Sequence, residues 1–133
     1  MAISANRPSS GDRLVDWIFR QFLLLLNNRK LKIRRKRSVV KFRGKRRWAV
    51  RGISDMTAGP DNRGIEITIS SAKSVHVNRH QEVETLIHEL AHILFPKVRE
   101  RFIRVLEDIL VAKFIKEQRR LLGSFLPRRP TKK

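Results

Sequence analysis

Two histidines four positions apart bracket a glutamate in Glu84-Thr85-Leu86-Ile87-His88-Glu89-Leu90-Ala91-His92-Ile93-Leu94-Phe95, an otherwise apolar stretch. On a helix, side chains at i and i+4 project from one face, one above the other, so His88 and His92 can offer two imidazoles to one metal ion. Glu89 emerges beside them, where its carboxylate can take a proton from a metal-bound water without itself binding the metal. So short a pattern also arises by chance on core helices. The flanks count against chance, because three polar groups in a helix that is apolar nearly all round are costly to bury unless a metal or other partners satisfy them. The chain has no cysteine, which leaves His and carboxylate as ligands and excludes disulfides, zinc ribbons and thiol nucleophiles. The expected cofactor is one Zn2+ ion.

A zinc centre that does chemistry takes three protein ligands and leaves a position for water, so one more ligand must come from outside this helix. Pro96 has to end the helix, since proline cannot continue the hydrogen-bond ladder and disfavours helical backbone in the residue before it. If the next helix packs back as an antiparallel hairpin, positions equidistant from the turn face each other. His92 lies four residues before Pro96 and Glu100 four after it, which makes Glu100 the expected third ligand. Glu107 and Asp108 are candidates to orient a ligand histidine, because a zinc-bound imidazole usually gives its other N–H to a carboxylate or carbonyl. His76 and His80 are a competing pair at the same spacing, but they sit in a polar connection and read first as exposed loop histidines.

The elements that must hold these groups follow from periodicity. Residues 1–10 read as a loose N-terminus in which Ser9 or Ser10 can cap a helix. From Asp12 to Leu26, Leu14, Val15, Trp17, Ile18, Phe19, Phe22, Leu25 and Leu26 recur at helical spacing, and Asn27-Asn28 ends the helix. Leu31 and Ile33, then Val39, Val40 and Phe42, then Trp48 and Val50 predict strands, with a turn at Gly44-Lys45. Gly52 to Gly64 reads as a loop rich in turn formers. Ile65, Ile67 and Ile69 alternate with polar residues, which predicts a strand whose isoleucine face packs on the central helix. Ser71 to His80 reads as a polar connection, with a short extended piece at Val75-His76-Val77. The histidine helix starts at Gln81 or just before it. A last helix runs from about Val98 to Gly123 with Phe102, Ile103, Leu106, Ile109, Leu110, Phe114 and Ile115 as its apolar stripe. The fold class is therefore α+β: an N-terminal helix, a small, mostly antiparallel sheet of three to four strands, the histidine helix and a C-terminal helix. Residues 11–126 form a single domain, and 127–133 a basic tail.

The formal net charge is +19 in 133 residues. Thirteen cations lie between Arg29 and Arg51 with no acidic residue among them. A charge run is most often a solvated face, but like charges on neighbouring strands repel unless a polyanion sits there. Arg34, Arg35, Lys36, Arg37, Lys41, Arg43, Lys45, Arg46 and Arg47 are thus expected to bind nucleic acid or nucleoprotein. The leucine run Leu23 to Leu26 is too short to span a bilayer, and the charged residues before it fit no secretory signal. The expected partners exclude a membrane, and the expected location is intracellular, in the cytoplasm or on a nucleoid.

Residues 84 to 96, E-T-L-I-H-E-L-A-H-I-L-F-P, resemble the active-site helix of zincin metallopeptidases, in particular the small phage and bacterial metallopeptidases of the SprT-like kind. In those proteins a proline and then an acidic residue follow, matching Pro96 and Glu100. Trp48 and the Gly64-Ile65-Glu66-Ile67 strand are similar to the family layout in order. The resemblance spans roughly residues 45 to 110 and leaves the arginine-rich segment and the tail unaccounted for. Peptide deformylases have a similar helix but need a cysteine ligand, which this chain lacks. The chain also lacks a third histidine at the metzincin or classical SprT spacing, and it has no tyrosine to stabilise an oxyanion. The resemblance implies a minimal zincin-like fold, hydrolysis of peptide bonds with Glu89 as general base, and a viral source as one origin. It also implies an extended peptide substrate paired with the edge of the Ile65–Ile69 strand. Oxyanion stabilisation then falls to zinc, a backbone N–H or a cation such as Arg99. Two other readings stand beside it: a nucleic-acid-binding protein whose zinc site is structural or inactive, and, ranked last, a zinc-dependent ribonuclease.

Overall fold

In the computed structural model, which describes residues 8–37, 39–58, 64–70 and 79–127, nine elements follow one another. They are α1 (Arg13–Leu26), β1 (Leu31–Lys36), β2 (Val39–Arg43), β3 (Arg46–Val50), β4 (Gly52–Ala58), β5 (Gly64–Ser70), α2 (Arg79–Leu94), α3 (Glu100–Lys113) and α4 (Lys116–Gly123). The fold is α+β. Strand β5 is the middle of a three-stranded sheet, parallel to β1 on one side and antiparallel to β4 on the other, while β2 and β3 form a separate antiparallel hairpin. Two of the three ladders are antiparallel. Gly44, at φ +61°, makes the hairpin turn in a left-handed conformation that glycine adopts at no steric cost.

Register decides which side chains meet the histidine helix. Pairing sets Leu31 beside Ile65, Ile33 beside Ile67 and Ser54, and Arg35 beside Ile69 and Gly52. Residues paired across neighbouring strands share a face, so these rows form the surface on which α2 lies. Ile67 and Ile69 are buried there together with Leu86, Ile87, Leu90 and Ala91 of α2. Strand β4 can come this close because position 52 is glycine: a Cβ there would stand 2.8 Å from the Thr85 methyl and 2.9 Å from the Thr68 carbonyl oxygen.

The other helices enclose α2 from the remaining sides. Phe19 and Phe22 of α1 meet Phe114 edge to face, with ring centroids 5.6 and 6.3 Å apart. Asp12, rather than Ser9 or Ser10, caps α1, its side chain accepting from the Leu14 and Val15 amides. Ser9 and Ser10 instead donate to Asp16, as does Gln118 of α4. Burial opposes ionisation of Asp16, but these hydrogen bonds outweigh it and hold its pKa at about 2. Ser9 and Ser10, at the end of the stretch expected to be loose, are thus hydrogen-bonded to α1.

Several expectations need correction. The stretch expected as a loop contains β4, which gives β5 a neighbour on each side, so the Ile65–Ile69 strand has no free edge; β4 is an edge of this sheet. The last helix is two, because Phe114 leaves helical geometry (φ −62°, ψ 131°) and its ring enters the α1 pocket. Gln118 restarts the helix by accepting the Ile115 amide at 3.0 Å. On α3 only Ile103 and Leu110 of the expected stripe are fully buried, and Phe102 and Ile109 face outward. Leu14 and Trp17 of α1 are likewise exposed. Residues 1–7, 38, 59–63, 71–78 with the expected extended piece at Val75-His76-Val77, and 128–133 lie outside the described residues. No described helix is long and apolar enough to cross a membrane.

Candidate metal centre

Helix α2 puts one face into the core and turns the next toward a cleft of about 920 Å³. His88 and His92, one turn apart, project into it with their Nε2 atoms 3.1 Å apart. Glu100, the first residue of α3, closes the group: its Oε1 lies 2.8 Å from His88 Nε2 and its Oε2 2.5 Å from His92 Nε2. The reversal at Pro96 brings it there, as the antiparallel geometry predicts. These three side chains could hold a metal ion, their ligand atoms all lying within 4.8 Å of one another. The observed separations of 2.5 to 3.1 Å, those to Glu100 involving its two different oxygens, are shorter than the ~3.3 Å between ligand atoms around a tetrahedral zinc with bonds near 2.0 Å, so the three side chains would have to spread to admit an ion.

The partners around this trio set its protonation. Glu107 lies 2.7 Å from His88 Nδ1, which commits that nitrogen to the carboxylate and leaves Nε2 for the cleft. Burial by itself would lower the His88 pKa, but the Glu107 hydrogen bond and the charges of Glu89, Glu100 and Glu107 raise it above its ordinary value. Burial would raise the Glu100 pKa, yet the two imidazoles and a hydrogen bond from Arg104 hold it below the usual carboxylate range. A metal cation is a natural replacement for the proton that the crowded carboxylates and imidazoles attract.

Glu89 stands apart from the trio. It is only 6% exposed, lines the same cleft, and has a pKa raised by burial in spite of His88, a hydrogen bond from the Ser54 hydroxyl, His92 and Lys41. A carboxylate whose proton affinity is lifted toward neutrality is suited to accept and return a proton. Ser54 reaches it because β4 places Ser54 in the row facing α2. The wall opposite α2 includes Gly52, Ile53, Ser54 and Met56 of β4 and Lys41 and Trp48 of the hairpin.

The other expected residues divide. Asp108 is exposed and lines the cleft, but it makes no hydrogen bond to either histidine; Glu107 alone takes the orienting position. His80 lies on the exposed surface of α2, 3.3 Å from Glu84 and outside the trio, and His76 is outside the described residues. Arg99 occupies the N-cap position of α3 without a side-chain capping hydrogen bond and is not among the residues lining the cleft, whereas Lys41, Arg51 and Arg104 are. Arg34, Lys36, Arg37, Lys45 and Arg46 are exposed, and Arg34 is 3.7 Å from Glu66. Arg43 and Arg47 lie on the two hairpin strands. Arg35 has no place on this cationic surface: its side chain, 4% exposed, pairs with Glu82 and donates to the Pro127 carbonyl. Strand alternation turns it to the same face as Leu31 and Ile33, where a charge must find a partner.

Sequence reasoning missed Ser54 and the cleft position of Lys41. The only sequence signal was the single isoleucine and single methionine of β4, too little to mark a strand and hence to place a hydroxyl against Glu89. The chain matches no protein-family model, no curated protein and no solved structure.

Proposed function

We propose that this chain is a zinc-dependent peptidase that hydrolyses peptide bonds with Glu89 as general base. The observation that carries the reading is the pairing, in one cleft, of a converging His88, His92 and Glu100 donor set with a separate buried carboxylate of raised proton affinity. Two imidazoles and a carboxylate without any cysteine suit zinc. Bound there, zinc would supply Lewis acidity, bringing the pKa of a water toward neutrality and polarising a carbonyl.

The chain's own residues supply the rest. Glu89, oriented by the Ser54 hydroxyl, takes a proton from a water in the cleft and passes it to the leaving amine. Among the described residues no strand pairs with the outer edge of β4, which could therefore take an extended peptide, and Gly52, Ile53, Ser54 and Met56 bring that edge along the cleft. Lys41, whose charge is felt at Glu89, lines the cleft together with Arg51 and Arg104 and is a cation that can face a developing oxyanion. These features fit the zincin reading of the α2 helix.

Glu89→Gln tests it. With a zinc-loaded protein and an unstructured protein substrate, the substitution should reduce cleavage by ~10²–10⁴-fold while bound zinc is retained. Equal cleavage by both forms would rule out Glu89 as the base. The +19 charge and the exposed cations on β1 and the hairpin support a second reading, in which the chain binds nucleic acid and the metal group is structural. The two readings are compatible if the basic surface brings the peptidase to proteins held on nucleic acid.

A further inference from the structure

The β2–β3 hairpin contributes to the wall of the cleft opposite α2, and its register shows what it presents there. Pairing sets Val39 opposite Val50, Lys41 opposite Trp48 and Arg43 opposite Arg46. Paired and alternate residues share a face, so Val39, Lys41, Arg46, Trp48 and Val50 lie on one side of the hairpin. Val39 is buried at the base of that side, Lys41, Trp48 and Val50 line the cleft, and Arg46 is exposed near the tip. Trp48 itself is 44% exposed.

An open tryptophan is ordinary by itself, and Trp17 on α1 is nearly as exposed. The surroundings of Trp48 set it apart. The segment 39–51 carries six cations and no acid. Lys41, Lys45, Arg46 and Arg51 are exposed, and none of them enters a salt bridge among the described residues. Lys41 faces Trp48 across the ladder, Arg46 follows it on the same strand face at ~7 Å, and Arg51 lines the cleft beyond Val50. The register also sets two arginines, 43 and 46, directly opposite each other, a pairing that costs stability unless an anion screens it. A flat ring bordered by cations fits a ligand that alternates flat faces with negative charges, which is the chemistry of a nucleic acid strand. The strand must be single, because a duplex keeps its bases stacked inside and offers a ring in a cleft wall only phosphates and groove edges. Glu89, Glu100, Glu107 and Asp108 reach the cleft from α2 and α3 and repel phosphate, which keeps such a strand on the hairpin side.

We propose that the cleft face of the hairpin binds single-stranded nucleic acid, with Trp48 as the platform on which a base stacks and Lys41, Arg46 and Arg51 as phosphate contacts. The site rests on the nucleic-acid reading of the basic surface, to which it adds a defined place, a strand type and a base contact, and it does not depend on peptide cleavage.

Fluorescence of the W17F chain, in which Trp48 is the one tryptophan left, tests the site without altering it. Titration at low salt with an oligodeoxythymidine of about 12 nucleotides should quench Trp48 emission saturably, and polyglutamate of equal charge should not. By anisotropy of the labelled oligonucleotide, W48A should weaken binding about 5–100-fold and W48F much less, since a phenyl ring still stacks. Affinity for a duplex of the same length should be unchanged by W48A. Oligonucleotide binding that leaves Trp48 emission unchanged, or that W48A leaves as tight or weakens equally for duplex, would overturn the site while the broader cationic reading survived. A quench by polyglutamate equal to that by the oligonucleotide would also overturn it, as a surface for any polyanion. Absence of binding to either strand form would remove the site and the broader reading together.

Discussion

Glu107 shows how one side chain can decide what a histidine does. By occupying Nδ1 of His88 at 2.7 Å it leaves a single nitrogen for the cleft and fixes the ring's rotation. Glu107→Ala should therefore weaken zinc affinity by ~10–100-fold without displacing any ligand, as competition with a chromogenic chelator would measure. Unchanged affinity would reduce Glu107 to a bystander. At this scale the sequence was informative where helical geometry is rigid. His88, Glu89 and His92 followed from the i, i+4 repeat, and Glu100 from the reversal at Pro96. Ser54 and Lys41 come from strands distant in sequence, and no local period connects them to Glu89. Arg35 was legible in principle: on a strand with Leu31 and Ile33 facing inward, residue 35 faces inward too, and only its charge suggested otherwise.

Among the elements, β4 is the one on which the site depends and the one hardest to read. An edge strand half open to solvent needs no clean apolar alternation, so Gly52–Ala58 resembles the turn-rich stretch that follows it. Its close approach to α2 rests on the missing side chain at Gly52. Gly52→Ala should push β4 from α2 and cost about 1–3 kcal/mol in denaturant unfolding. Thr85→Ser in the same chain should recover only part of this, because the Thr68 carbonyl is backbone and cannot yield as a methyl can. Full recovery would locate the strain in the Thr85 methyl alone. The break between α3 and α4 was equally hidden, since no glycine or proline marks it; the aromatic pocket of Phe19 and Phe22 draws Phe114 out of the helix.

Taken whole, the molecule joins an acidic, metal-suited cleft to a chain of net charge +19. The fold class was legible from periodicity because α1, β5 and α2 each bury a regular face; the parallel pairing of β1 with β5 was not, because it links segments separated by the whole hairpin. If the exposed cations of β1 and the hairpin bind phosphates, affinity for nucleic acid should fall steeply with rising salt, as fluorescence anisotropy would record. Replacing Arg37, Lys45 and Arg46 with Gln should flatten the logarithmic slope by about one for each of these side chains that neutralises a phosphate. A salt-independent affinity would exclude the electrostatic account.

The most direct measurement is the zinc content of the purified chain after exposure to zinc and removal of excess, compared with His92→Ala and Glu89→Gln. One zinc per chain in the native protein, retained in Glu89→Gln and lost in His92→Ala, is the predicted result: His92 binds the ion and Glu89 only works beside it. A native chain that holds no zinc, or one whose zinc survives His92→Ala, would contradict the central claim.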